Sequence, residues 1–341
     1  MRTTTIAEAL REGLAEEMRK DGDVLLIGEN IGLFGGSFQV TKGLIDEFGS
    51  ERVRETPVSE AAIIGAAVGA ALIGLRPVAE IMYMDFIACC MDQVVNQAAK
   101  IRFLSGGKLK VPLVIRTALG ANTHGAHHAQ CLEAWFMHTP GLKVVFPSTP
   151  YEAKGLLKSA IRDENPVIFL EHKLLYGRKK SYFPTGDNFE KIRSLFDVPN
   201  QEYLIPLGKA DIKRKGKDIT IVATGIMVHK ALLAAERLSR EDIQAEVVDL
   251  RCLVPLDRET VINSVSKTGK AVVVSEDNLT AGVAPEISAI IYEEAFDYLD
   301  APVERVAALD IPVPFSPVAE DYTIPNEERI YTAVKKFFER S

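Results

Sequence analysis

Short apolar runs alternate along the chain with segments whose apolar residues return every three to four positions. Runs at 24–28, 78–82, 111–117, 142–146 and 167–171 read as strands, and a second set follows at 219–224, 245–250, 271–275 and 303–308. Between them, helical periodicity covers 92–104, 151–162, 229–238 and 259–266. Apolar strands separated by helices predict an α/β fold, with mainly parallel sheets flanked by helices. Near the N-terminus Ile6, Leu10, Leu14 and Met18 share one helical face, and Thr5 followed by Glu8 predicts a capping box. The periodicity fails from about Gly177 to Asp218, a charged stretch with Pro184, Gly186, Pro199 and Pro206 that reads as an interdomain connection.

One helical segment differs from the rest. After Thr56-Pro57-Val58-Ser59-Glu60, every residue from 61 to 75 is small or apolar. Ser59 is placed to cap this helix. With no polar face it should be buried all round, and Gly65, Ala66 and Gly69 would admit another backbone closely. Glu60 stands at its entrance. Either it complements the helix dipole, or it is a carboxyl in an apolar pocket with a raised pKa, poised to exchange a proton.

A second candidate is the glycine-punctuated stretch 120–130. It carries His124, His127 and His128 within five residues after a predicted strand. A loop histidine there suits acid/base work. Metal ligation with Cys131 and Glu133 is an alternative, although the spacing matches no familiar metal site. Surface or capping histidines are the plain alternative. The loop Gly32-Leu-Phe-Gly35-Gly36-Ser37 lacks the spacing of a phosphate cradle and reads as a plain loop. Cys89 and Cys90 read as core thiols.

Composition narrows the classes. The chain has 341 residues, enough for about two domains, and a net charge of −7 without a Lys/Arg stripe, which argues against a nucleic-acid partner. Its four cysteines form no Cys-x-x-Cys pair, so we expect reduced thiols and a cytoplasmic location. The longest uncharged run, 61–75, is short and rich in Ala and Gly for a membrane span, so no membrane partner is expected.

The motifs together resemble one family. Glu55-Thr-Pro-Val-Ser-Glu60, the small-residue helix, Gly74-Leu-Arg-Pro-Val-Ala-Glu80 and Asp92-Gln93 occur in its order. His128-Ala-Gln-Cys131, Pro140-Gly-Leu-Lys-Val-Val-Phe-Pro-Ser148, Ile161-Arg-Asp-Glu-Asn-Pro166, Ile205-Pro-Leu-Gly-Lys-Ala210, Pro255-Leu-Asp257 and Leu299-Asp-Ala-Pro-Val303 continue the match over nearly the whole chain. The chain thus resembles the β subunits of thiamine-diphosphate-dependent pyruvate, branched-chain 2-oxo acid and acetoin dehydrogenases. The resemblance implies two transketolase-like domains: a pyrimidine-binding domain at 1–185, a linker at 186–205 and a C-terminal domain at 206–341.

It also implies residue roles. A glutamate at the position of Glu60 would hydrogen-bond the aminopyrimidine ring of thiamine diphosphate and promote its imino form. Phe86 would lie beside that ring and Val58 would contact the cofactor. His128 would deliver protons or handle the lipoyl thiolate. Backbone carbonyls of Leu113, Ala160, Ile161, Asp163 and Asn165 would hold potassium.

The family's diphosphate–magnesium motif, Gly-Asp-Gly followed some 30 residues later by Asn-Asn, is absent from the sequence. The resemblance therefore places magnesium on an α subunit, in a heterotetramer of two α and two β chains that acylates a lipoyl-bearing acyltransferase core. Pyruvate is the first-choice 2-oxo acid substrate, with acetoin close behind. A noncatalytic assembly subunit and a nicotinamide-dependent dehydrogenase are the rivals; no glycine fingerprint follows the first strand to support the latter. Two departures stand out: Ala129 where the family often has serine, and a long connection from Gly177 to Gln201.

Overall fold

A computed structural model describes residues 1–177 and 193–339. They form two compact units, one of Met1–Leu119 with Trp135–Leu207 (described residues only), the other of Gly120–Ala134 with the chain from Gly208 onward. The segment carrying the three histidines thus packs with the second unit, although it interrupts the first in sequence. Residues 178–192, which hold much of the expected connection, lie outside the described residues.

The first unit is built on parallel strands. These are β2 (Val24–Glu29), β3 (Val53–Thr56), β4 (Arg76–Ile81), β5 (Val114–Leu119), β6 (Lys143–Val145) and β7 (Val167–His172). Their order is β6-β7-β5-β4-β2-β3. A short β1 (Arg2–Thr3) pairs antiparallel with β8 (Asp197–Val198). β5 and β7 are buried along their full length, as expected of strands covered on both faces. From β2 the chain runs out to β3 at the edge, then returns to β4 on the other side of β2. The order reverses there, which opens a crevice at the carboxyl ends of the strands, the usual ligand position in such sheets.

The helices follow the sequence pattern with informative exceptions. Ile6–Lys20 has the expected reciprocal box between Thr5 and Glu8. Residues 92–104 do not form one α-helix: over Asp92–Ala98 the turn widens, with the Ala99 N–H donating to the Val94 carbonyl, before a short helix at Ile101–Leu104. The uniformly apolar helix Glu60–Leu72 buries Ile63, Ile64, Ala67, Val68 and Ala71, but Ala62, Gly65, Ala66 and Gly69 are exposed. The expectation of all-round burial is therefore corrected for the single chain. Nor does the Ser59 side chain cap it. The Ser59 backbone N–H instead faces the Glu29 carboxylate.

The second unit repeats the layered plan. Strands β9 (Asp211–Arg214), β10 (Ile219–Ala223), β11 (Ala245–Asp249), β13 (Ala271–Asn278) and β14 (Glu304–Ala308) run in the order β14-β13-β10-β11-β9, while β12 is Cys252–Val254. All neighbours in that order are parallel except β9, which is antiparallel to β11. Helices at Ile226–Ser239, Arg258–Thr268, Val283–Ala295 and Glu327–Glu339 belong to this unit; the pattern reading missed the last two. The separation into two mainly parallel α/β units agrees with the expected fold class.

A buried charge sits in the middle of the first sheet. Arg116, on β5, donates twice to Glu171 on β7 at 2.7 Å and once to Glu80 on β4 at 2.8 Å. The Tyr176 hydroxyl adds a 2.6 Å bond to Glu171. Burial pushes the Glu80 carboxyl up, with Arg116 pulling it back and Glu171 adding to the rise. Removing Arg116 would leave two carboxylates buried without their cation, so Arg116→Met should cost about 3–5 kcal/mol. The midpoint of chemical unfolding measures this; an unchanged midpoint would show that the triad contributes nothing to stability.

Candidate active site

Several side chains of interest follow the carboxyl ends of the strands where the first sheet reverses. Glu29 closes β2, Val58 and Glu60 follow β3, and Phe86 follows β4. Burial raises the Glu29 carboxyl and the charge on Glu60 raises it further, while the Ser59 N–H opposes. The same Glu60 charge, after burial, helps push the Cys90 thiol up to about 12. Glu60 therefore lies near both Glu29 and Cys90, at the first turn of its helix, and is partly exposed in the single chain. Val58 is 78% exposed. At the end of β3 the Thr56 hydroxyl is buried, with no hydrogen-bond partner among the described residues.

An aromatic shelf lines this end of the sheet. Phe38 stacks on Tyr176 with ring centres 4.4 Å apart and meets Tyr83 edge-on at 5.8 Å. Tyr83 in turn meets Phe86 edge-on at 5.6 Å. The Lys173 ammonium lies 5.4 Å from the Tyr83 ring centre, close enough for a cation–π attraction. Gly36 belongs to the loop below: its φ is +77°, and a Cβ there would come within 2.9 Å of Glu80 Oε1. The N–H groups of Gly35 and Gly36 donate to the Gly32 and Asn30 carbonyls, as a plain loop would have them.

Four of the five backbone carbonyls expected to hold potassium already accept protein donors. Ile161 and Asp163 accept from Arg76 at 2.9 and 3.3 Å, Leu113 from the Val167 N–H at 2.8 Å and Ala160 from the Asp163 N–H at 3.2 Å. The Asn165 side chain accepts from Arg102 at 2.7 Å. A carbonyl has two lone pairs, so an alkali ion held here would share the Ile161 and Asp163 carbonyls with Arg76.

In the second unit His128 is half-buried, with its backbone N–H donating to the Gly125 carbonyl at 3.2 Å. The His124 ring lies 6.4 Å from that of His128, and both His124 and His127 are exposed. Among the described residues no group of three or more His, Cys, Asp or Glu could hold a metal ion. Under the loop lies a cavity of about 550 Å³ lined by Ala126, Ala129, Cys131, Glu276 and Asp277 among others. Glu133 is fully buried beside it in charge terms: burial, then Asp277 and Glu276, raise its carboxyl well above the usual range. Among the described residues neither of its oxygens has a hydrogen-bond partner. Asp277 is pushed up to about 6, chiefly by burial, although the Val283 N–H donates to it. The Ser275 hydroxyl also favours its anion, without a well-formed bond between them.

Sequence comparison accounts for both units. Residues 2–179 match the family described as Transketolase, pyrimidine binding domain, and 208–330 match Transketolase, C-terminal domain. Among the relatives, 2-oxoisovalerate dehydrogenase subunit beta of Bacillus subtilis (strain 168) is 44% identical over 99% of this chain and 100% of its own length. The chain belongs to the β subunits of the 2-oxo acid dehydrogenase family. Other β subunits are as similar. Acetoin:2,6-dichlorophenolindophenol oxidoreductase subunit beta of Bacillus subtilis (strain 168) is 45% identical over 96% of this chain and 95% of its own. Pyruvate dehydrogenase E1 component subunit beta of Rhizobium meliloti (strain 1021) is 44% identical over 98% of this chain and 70% of its own. A solved structure, "Split gene transketolase, inactive beta4 tetramer", shares the fold with a TM-score of 0.78, 23% identity and 97% coverage of both chains.

For a β subunit of this thiamine-diphosphate-dependent family, the sheet reversal gathers Glu60, Glu29 and the aromatic shelf into one neighbourhood. Sequence reasoning passed over Glu29 and Lys173. The available signal for Glu29 was a carboxylate closing an otherwise apolar strand. Nothing in the spacing linked Glu133 to Glu276 and Asp277, which meet only through folding. Among the described residues no helix is long and apolar enough to cross a membrane, and all four cysteines are free thiols.

The Glu133 cluster has a pH signature. Its carboxyls are raised in the folded state, so their contribution to stability is complete in acid and is lost as pH rises through about 6 and beyond. Glu133→Gln removes one of the crowded charges. Its melting temperature should match that of the parent below about pH 4 and exceed it at pH 8, by roughly 2–4 °C for each kcal/mol relieved. A difference that stays constant with pH would refute the crowding.

Proposed function

We propose that this chain is one half of a shared active site that decarboxylates a 2-oxo acid on thiamine diphosphate and passes the acyl group to a lipoyl group. The observation that carries the reading is Glu60 at the sheet reversal, with Glu29 beside it and the shelf ending in Phe86 just after β4. Glu60, Val58 and Phe86 would hold the aminopyrimidine end. Bound there, thiamine diphosphate supplies carbanion chemistry that no side chain offers. Glu60 contributes a carboxyl able to hold or release one proton at the ring, and Phe86 an apolar wall that limits water. The His128 imidazole can both accept and donate a proton.

A partner supports the rest. Glu60 and Val58 stand partly open in the single chain, beside an exposed face of Ala62, Gly65, Ala66 and Gly69. An α subunit seated there would exclude water from Glu60, and that chain would bring the magnesium and diphosphate site that this sequence lacks. The assembly would be a heterotetramer of two α and two β chains in the cytoplasm, serving a lipoyl-bearing acyltransferase core. Pyruvate is the first substrate to test, against branched 2-oxo acids and acetoin.

Reconstitution with the α subunit, thiamine diphosphate and magnesium decides the matter. Turnover should appear only in the mixture, and Glu60→Gln should lower it by about 10²–10⁴-fold. Near-normal turnover of that variant would favour a noncatalytic assembly role. Potassium binding by the carbonyls of Leu113, Ala160, Ile161, Asp163 and Asn165 is proposed on the resemblance alone. If the ion is part of the fold, exchanging potassium for choline should lower the melting temperature of the complex; identical melts would reject it.

A further inference from the structure

The loop that carries His128 is held by acidic residues from far along the chain. At its start Ala121 is buried against Ala308 and Ile324, and its N–H donates to Glu276 Oε1 at 2.6 Å. Two residues on, Thr123 adopts a left-handed φ of +53°, and its N–H donates to both carboxylate oxygens of Glu320 at 2.8 and 3.0 Å. Gly125, at φ +71°, rests near the Phe315 ring, and its carbonyl takes the His128 N–H. These contacts form a short series of fixed points: Glu276 to residue 121, Glu320 to residue 123, and residue 125 to His128. Both glutamates are buried, so a loop N–H that lost its acceptor there would be costly to leave unpaired.

We propose that Glu276 and Glu320 are positioning residues for His128: they fix its loop and thereby the step it serves, without touching substrate themselves. The inference rests on the reading that His128 acts in the reaction. It gives the second unit a part in catalysis, since Glu276 comes from β13 and Glu320 from the helix Pro317–Thr323. A glycine, a left-handed threonine and a short turn cannot by themselves define one imidazole position. Carboxylates anchored in the second unit can, because each meets a backbone N–H whose direction the turn fixes.

The test uses the reconstituted complex with Glu276→Ala, Glu320→Ala, their Gln counterparts, and His128→Ala alone and combined with each. Hydrogen–deuterium exchange of peptides covering 120–134 reads the loop directly. Exchange there should quicken in the Ala variants and less in the Gln variants, which keep an acceptor oxygen, while 219–223 stays protected. Turnover with a lipoylated acceptor should fall on the order of ten- to a hundredfold in the Ala variants. The Gln variants should recover part of it, and each double variant should be no slower than His128→Ala alone. Unchanged exchange at 120–134, or losses that multiply with His128→Ala, would overturn the proposal. Full activity of His128→Ala would instead remove the role of His128, and the exchange result would still decide whether the glutamates hold the loop. Should an Ala variant fail to fold, the Gln variant carries the same comparison.

Discussion

The ion triad of Glu80, Arg116 and Glu171 is the constraint on which the first unit turns. A guanidinium buried in a sheet is tolerable only when carboxylates surround it, and here they come from the two strands flanking its own. That requirement pins the lateral order of β4, β5 and β7. It also reaches the surface: Glu171 holds the Tyr176 hydroxyl, Tyr176 stacks on Phe38, and Phe38 and Phe86 both meet Tyr83. The aromatic shelf near Glu60 is therefore tied to a charge in the centre of the sheet. Gly36 belongs to the same arrangement, since a side chain there would press on Glu80.

The first unit and the His128 loop of the second use carboxylates in different ways. In the first, most buried acids are matched by cations: Glu17 by Arg162 across packed helices, and Glu171 by Arg116. In the second, around the His128 loop, acids meet backbone N–H groups and one another. Matched charges fix strand order and helix packing over a broad pH range. Acids crowded together make the structure around them sensitive to proton concentration, and those that accept backbone N–H groups can hold a loop that has no regular structure of its own.

Much of this was legible before any coordinates. The alternation of apolar runs and helical periods marked the longer buried strands of both units to within a few residues, because fully buried parallel strands leave long apolar stretches. The box at Thr5 and Glu8 was local and could be read directly. The short β3 was missed because Val53-Arg-Glu-Thr56 sits at a sheet edge and carries charge. The wide turn at Asp92–Ala98 was invisible, since periodicity barely separates it from an α-helix over seven residues. Glu60 and the His128 loop stood out by motif. Their partners did not: Glu29, Glu276, Asp277 and Glu320 come close to them only through sheet topology and long-range folding, which leave no mark on spacing.

The exposed stripe of the helix Glu60–Leu72 bears on how the protein is made. Its outward residues are Ala, Gly, Ala and Gly, with Ile73 beyond them largely exposed as well. Such a surface has no charge to keep neighbours away and no bulk to keep backbones apart. A chain synthesised in excess of whatever covers that stripe would find the same stripe on its own copies. With an α subunit seated on the stripe as proposed, producing the two polypeptides together would keep it covered as the chain folds.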